Sequence, residues 1–301
     1  MNDMPVSVTC FIDPGCPWAY SAGPPFAVLR WRFGAQLDWR LVTIGLTEDA
    51  EQYVRRGYSP VRAAANYRTF GRRFGMPFGT EPRPRMVATG PACRAIVATR
   101  LLHPGREWAA LRALQFAWFT TPLVLDEDDA IAQALANVPG IDARAVVAAI
   151  GDPEAERAYQ ADHELTRNAA GGATEAQGKT ADTDGRVRFT APSLVFEHDG
   201  TRVEAGGFQP IEAYDVVLAN LDPTLAREPA AEDPATVLRQ FPDGLTTAEI
   251  AAAMTPHLGE IDRTAAEAAL IELVAGGRAT RVGLGDDALW LPAAASLAQA
   301  A

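Results

Sequence analysis

Val6-Ser7-Val8-Thr9-Cys10-Phe11-Ile12, running into Asp13-Pro14-Gly15-Cys16-Pro17-Trp18-Ala19-Tyr20, decides how this chain is read. Residues 6–12 are rich in β-branched and aromatic types, as a strand requires. Asp13-Pro14-Gly15 ends that strand, and Pro17 carries the fixed φ that suits a first helical residue. The stretch therefore predicts strand, turn and helix, with Cys16 at the junction. Unpaired backbone N–H groups and the helix dipole favour an anion there. Because the thiolate is the attacking form of cysteine, the position predicts a reactive Cys16 with a pKa below the ordinary ~8.5. Trp18 would shield one side of the sulfur and offer a flat surface to a ligand.

Outward from this motif, residues 24–33 have helical spacing, and Leu37, Trp39 and Leu41 alternate in a second strand over 37–44. Short connections make this a parallel β-α-β unit. Residues 48–170 read as helices. Ser59-Pro60 opens one whose apolar face is Ala63, Tyr67, Phe70 and Phe74. Thr89-Gly90-Pro91 opens another, Trp108, Leu111, Gln115 and Trp118 mark a third, and Asp126 and Asp142 read as caps of further short helices. After a polar loop at 172–186, strands return at 187–190 and 193–196, with Ala191-Pro192 between them. Asp199-Gly200 makes a hairpin turn, and residues 209–221 form a helix. Beyond a linker at 224–234, Thr246 and Glu249 form a capping box, and residues 235–295 resemble a winged helix. The predicted class is α/β: a core from 1–47 and 171–223, a helical insertion at 48–170, and a small C-terminal α+β domain.

The 301 residues suit about two domains, and 48% hydrophobic content suffices for a core. No apolar run approaches a membrane span, and the N-terminus lacks a signal-peptide pattern, so the expected location is cytoplasmic. Three cysteines fit a reducing compartment better than a disulfide framework. The net charge of −11 argues against nucleic acid. Residues 55–112 nonetheless hold twelve arginines against two acids, a local net of +10. These could fork onto an anionic ligand or form a solvated helical face. The four histidines have no metal-ligand spacing, so no metal is expected. The third helix of the C-terminal domain holds Asp262, Glu267 and Glu272 against Arg263 alone. That balance predicts packing, dimerisation or a cover over the active site rather than DNA binding.

The Cys16-Pro17-Trp18 motif and the element order resemble the DsbA-like thioredoxin-fold family, notably its FrnE-like and 2-hydroxychromene-2-carboxylate isomerase branch, over about residues 5–222. The resemblance implies a thioredoxin core, an insertion that caps the substrate groove, and a cis proline at Ala191-Pro192 beside Cys16. Phe208 and Gln209 would line the thiol groove, although helix capping also suits Gln209. Redox-active members carry a second cysteine where this chain has Ala19, so an internal disulfide cycle is replaced by monothiol chemistry. The expected activity is thiol–disulfide exchange, or thiol-dependent reduction of a small substrate. No cofactor is tightly bound, and glutathione or mycothiol serves as co-substrate. Cys93, near a helix start, is a candidate resolving thiol. A glutathione- or mycothiol-dependent isomerase or transferase of the kappa-class type remains an alternative, as does a non-enzymatic redox sensor signalling through the C-terminal domain. The expected partners are a small thiol and a small-molecule or disulfide substrate, and a homodimer is compatible with the sequence.

Overall fold

The computed structural model describes residues 4–183 and 185–293; the outer edges of the predicted first and last domains, 1–3 and 294–295, and one position of the 172–186 loop lie outside them. Strand β1 (Val6–Ile12) leads through Cys16 into helix α1 (Pro17–Ser21), and after Ala22 the chain continues as α2 (Gly23–Phe33). A 3-10 turn (Gly34–Gln36) then gives β2 (Leu37–Thr43), which pairs parallel to β1 in register Val6 with Leu37. The crossover expected from the sequence is present, with the helix beginning earlier, at Pro17.

The insertion holds α3 (Glu51–Arg55), α4 (Pro60–Phe74), α5 (Gly90–Leu102), α6 (Glu107–Thr120), α7 (Asp128–Leu135), α8 (Ala143–Ala149) and α9 (Pro153–Thr166). Ser59 caps α4 by accepting from Arg62 N, and Asp142 caps α8 by accepting from Arg144 N and Ala145 N. Asp126 is not a cap: its carboxylate takes the Arg85 guanidinium and the Ala88 N–H. The 172–186 segment is more structured than a polar loop, containing α10 (Ala173–Ala176) and β3 (Thr180–Ala181). β3 pairs with β4 (Arg188–Phe189) in a separate two-stranded sheet, so residues 187–190 do not join the main one.

Strands β5 (Ser193–His198) and β6 (Thr201–Ala205) complete a four-stranded sheet of order β2-β1-β5-β6, antiparallel at β1–β5 and β5–β6. Asp199 (φ 46°) and Gly200 (φ 77°) make their tight turn, as Asp-Gly does in hairpins matched to strand twist. Helix α11 (Ile211–Leu221) closes the unit.

The C-terminal module runs α12 (Pro234–Gln240), β7 (Leu245–Thr246), α13 (Thr247–Ala253), α14 (Arg263–Ala275), β8 (Ala279–Leu284) and β9 (Asp287–Pro292), with a small sheet of order β7-β9-β8. The Thr246–Glu249 capping box opens α13. Residues 224–234 are docked rather than a free linker: Glu228 N donates to Arg32 O, Trp31 Nε1 to Pro229 O, and Ala231 N to Ala253 O. The module sits on α2. A Cβ on Gly23 would lie 2.7 Å from Glu249 Oε1, so a side chain there would push the Glu249 carboxylate aside. Among the described residues no helix is long and apolar enough to cross a membrane, and no group of three or more His, Cys, Asp or Glu is placed to hold a metal.

Candidate functional site

Asp13 holds the loop between β1 and α1. It is completely buried and accepts from Gly15 N at 2.8 Å, Leu46 N at 2.9 Å and Cys93 Sγ at 3.5 Å. Burial pushes its carboxyl pKa up, against the N–H donors of Leu46 and Gly15. Gly15 has no room for a side chain, since a Cβ would meet Thr89 Cγ2 at 2.6 Å and the Trp118 ring at 2.8 Å.

Cys16 is the residue that caps α1, and Pro17 begins the helix. Its Sγ donates to Ala191 O at 3.2 Å, and the Ala191–Pro192 peptide bond is cis. The fold thus brings together two segments 175 residues apart at one sulfur. Pro14, Ala19, Ala191 and Pro192 are all buried around it.

The ionisation expected of Cys16 is corrected by its surroundings. The residue is 8% exposed, and burial pushes its thiol up to about 12. The Ala19 and Trp18 N–H groups and Arg188 pull the other way, while Asp13 adds to the rise. Loss of water outweighs the donors of a five-residue helix start. In this conformation Cys16 is a neutral S–H donor, not an open thiolate.

Cys93 lies at the start of α5, as the sequence suggests, but is completely buried beside Val97 and Tyr159. Its thiol donates to Asp13, and burial with the Asp13 charge pushes its pKa well up. This sealed, protonated thiol is not placed as a resolving group. Cys10 is buried mid-strand and is likewise pushed up, to about 12, by burial.

Trp18 is 40% exposed. Its ring meets Phe70 at 5.1 Å, Phe74 at 5.7 Å and Phe208 at 6.1 Å, with the Arg73 guanidinium 5.7 Å above it. Phe208 therefore joins the wall built by Trp18. Gln209 does not cap α11, whose N-cap is Pro210; it donates back to Gly206 O at 2.8 Å. Beside Gly15, Pro17 and Trp18 lies a cavity of about 360 Å³, walled by Tyr53, Tyr58, Tyr67, Phe70 and Trp118 with Arg83 and Arg85. Cys16, Pro192 and Phe208 border this region without lining the cavity itself. Every residue lining it falls within 15–118, while the C-terminal module meets the Trp18 wall at a neighbouring cavity shared by Phe74, Phe208, Thr255 and Pro256.

Most of the insertion's clustered arginines have structural partners. Arg55, Arg85, Arg94, Arg100, Arg106 and Arg112 form ion pairs with acids. Arg83 donates to Leu123 O at 2.9 Å and stacks over Trp118 at 5.3 Å.

No protein-family model and no curated protein matched the sequence. Solved structures did. One, assigned as a protein disulfide isomerase from Nitrosomonas europaea, aligns over 72% of this chain and 97% of its own, with 21% identity and a TM-score of 0.53. Another, assigned as a DsbA oxidoreductase from Streptomyces coelicolor, aligns over 72% and 89%, with 20% identity and a TM-score of 0.52. The chain has the DsbA-like thioredoxin fold. The expected order of strand–helix–strand, helical insertion and strand–strand–helix is present, and the small C-terminal module follows it. Sequence reasoning missed Asp13 as an organising residue; the available signal was an acid at the end of an apolar strand, three residues before the cysteine.

Proposed function

We propose that the protein is a monothiol oxidoreductase acting through Cys16, with a low-molecular-weight thiol such as glutathione or mycothiol as co-substrate. One observation carries this reading: the Cys16 sulfur stands at a helix start, hydrogen-bonded to the carbonyl of the cis Ala191–Pro192 loop. Ala19 excludes a disulfide within the motif, so the cycle runs through a mixed disulfide. The small thiolate fraction of Cys16 attacks one sulfur of a small disulfide, the S–S bond breaks, and the departing thiolate takes up a proton from solvent. A free small thiol then attacks the substrate-derived sulfur of the mixed disulfide, forming a new small disulfide and restoring the Cys16 thiol. The electrons come from the small thiol. The aromatic cavity beside Trp18 suits the apolar part of a substrate. Three free buried cysteines fit a reducing, cytoplasmic setting.

A second reading draws on the raised Cys16 pKa. A neutral S–H that turns from Ala191 O to the thiolate of a bound small thiol can hold and orient it for addition or isomerisation, as a transferase or isomerase would. Turnover assays with glutathione and 2-hydroxyethyl disulfide on Cys16→Ser and Cys16→Ala separate the two. The oxidoreductase reading expects both variants to lose turnover completely. An active Cys16→Ser with a dead Cys16→Ala would favour the donor role, since serine keeps an O–H at that place; full activity in both variants would remove Cys16 from the chemistry. The redox-sensor alternative predicts no turnover and a change of oligomeric state on oxidation.

A further inference from the structure

A second cavity, of about 320 Å³, lies between the thioredoxin core, the insertion and the C-terminal module. Arg30 of α2 lines it. Its guanidinium lies 4.0 Å from the Trp108 ring centre and 5.0 Å from that of Trp39. The two indoles meet edge to face at 5.7 Å and form a corner behind the cation. No hydrogen bond or ion pair is made by the Arg30 side chain among the described residues. The other arginines at this junction are spent. Arg112 forks onto Glu249 at 2.6 and 3.0 Å, and Arg106 onto Asp243 at 2.8 and 3.2 Å. Each acid lining the cavity thus has an arginine partner, and Arg30 is the lining cation without one. Burial and the neighbouring Arg112 lower the Arg30 pKa to about 10, so it is a cation at neutral pH. Gln115 also lines the space and is 6% exposed; its Nε2, like the indole N–H groups of Trp39 and Trp108, is a buried donor with no partner among the described residues. Unspent donors therefore outnumber unspent acceptors, which is the condition for holding an anion.

We propose that this cavity binds a small carboxylate with a flat apolar body, its carboxylate forked by Arg30 and its body between the indoles and Phe241 of the C-terminal module. Arg–carboxylate pairing is bidentate and planar. A volume near 300 Å³ suits one small molecule rather than a chain. Three parts of the molecule meet at this point, so the ligand would also join the module to the core. The proposal does not rest on the thiol reading: Cys16 lies outside the lining, although Ala19 of the same motif contributes to it.

Leaving a desolvated cation unpaired costs stability. Arg30→Met, which fills the space without the charge, should therefore hold or raise the Tm while binding is lost. The test is calorimetric titration of the full chain with benzoate, phenylacetate and cinnamate, with phenylacetamide and inorganic phosphate as comparators. The expected result is saturable one-to-one binding of at least one acid, at least tenfold tighter than the amide or phosphate, and at least tenfold weaker in Arg30→Met. If that variant fails to fold, Arg30→Lys keeps the charge without the planar fork and should also bind at least tenfold more weakly. Absence of binding by all three acids, equal binding of amide or phosphate, or undiminished binding in the folded Arg30 variant would overturn the proposal.

Discussion

The chemistry of this molecule turns on how two short-range effects compete at Cys16. Backbone donors at the start of α1 favour the thiolate, and burial opposes it; burial wins and pushes the thiol up to about 12. The thiolate fraction therefore rises about tenfold per pH unit across the neutral range, because each unit of pKa is a factor of ten. Alkylation of Cys16 by iodoacetamide should climb about tenfold per unit from pH 6 to 9 with no plateau, as followed by peptide mass spectrometry. A plateau below pH 8 would mean an ionised sulfur instead. Ala19 sets the other boundary. It is buried one helical turn from Cys16, and residues three apart on a helix are neighbours. Ala19→Cys should form an internal disulfide under mild oxidation, seen as protection of both thiols from alkylation; continued reactivity of both would count against the observed helix start.

Between α1 and the insertion, aromatic rings carry the contact. Phe74 of α4 touches both Trp18 and Phe208, at 5.7 and 4.8 Å. Phe74→Ala should cost about 2 kcal/mol, less than the ~3–5 of a fully buried phenylalanine, and should change Trp18 fluorescence; denaturant unfolding and emission spectra check both. Elements with local signals were legible in the sequence. Ser59, Asp142 and Thr246 cap helices through atoms two or three residues away, and Asp199-Gly200 turns the chain within itself. What was not legible depends on distant partners. Asp126 reads as a cap, yet Arg85, 41 residues away, claims it. The 224–234 segment reads as a linker because its docking to Trp31 and Arg32 has no local signature. The motif located Cys16, but its burial and its Ala191 partner come from chain segments that no local pattern describes.

Across the whole molecule, the C-terminal module is fastened by a buried fork. Burial pushes the Glu249 carboxyl up, but Arg112 and the Thr246 donors outweigh it and hold it below its ordinary value. Arg112→Ala leaves that acid uncompensated and should cost about 3–5 kcal/mol, measured by denaturant unfolding; a loss under 1 kcal/mol would show the module is held by other contacts. The buried thiols begin the alkaline decline, and Tyr20, Tyr53, Tyr159 and Tyr214, also raised by burial, extend it. Cys10, Cys16 and Cys93 all have pKa values raised on folding. Above their unfolded value of ~8.5 the unfolded chain binds fewer protons than the folded one, so stability falls as pH rises, by up to about 1.4 kcal/mol per pH unit per thiol. Stability should be flat in this respect below pH 8 and decline through pH 9–11, less steeply in Cys10→Ala. Whether Cys16 is the exchanging thiol is read from peptide mass spectrometry of the full chain after incubation with oxidised glutathione or mycothiol disulfide at pH 8.5. The expected result is one mixed disulfide, on Cys16, removed by the matching free thiol, with Cys10 and Cys93 unmodified. No adduct on Cys16, or equal labelling of all three cysteines, would contradict it.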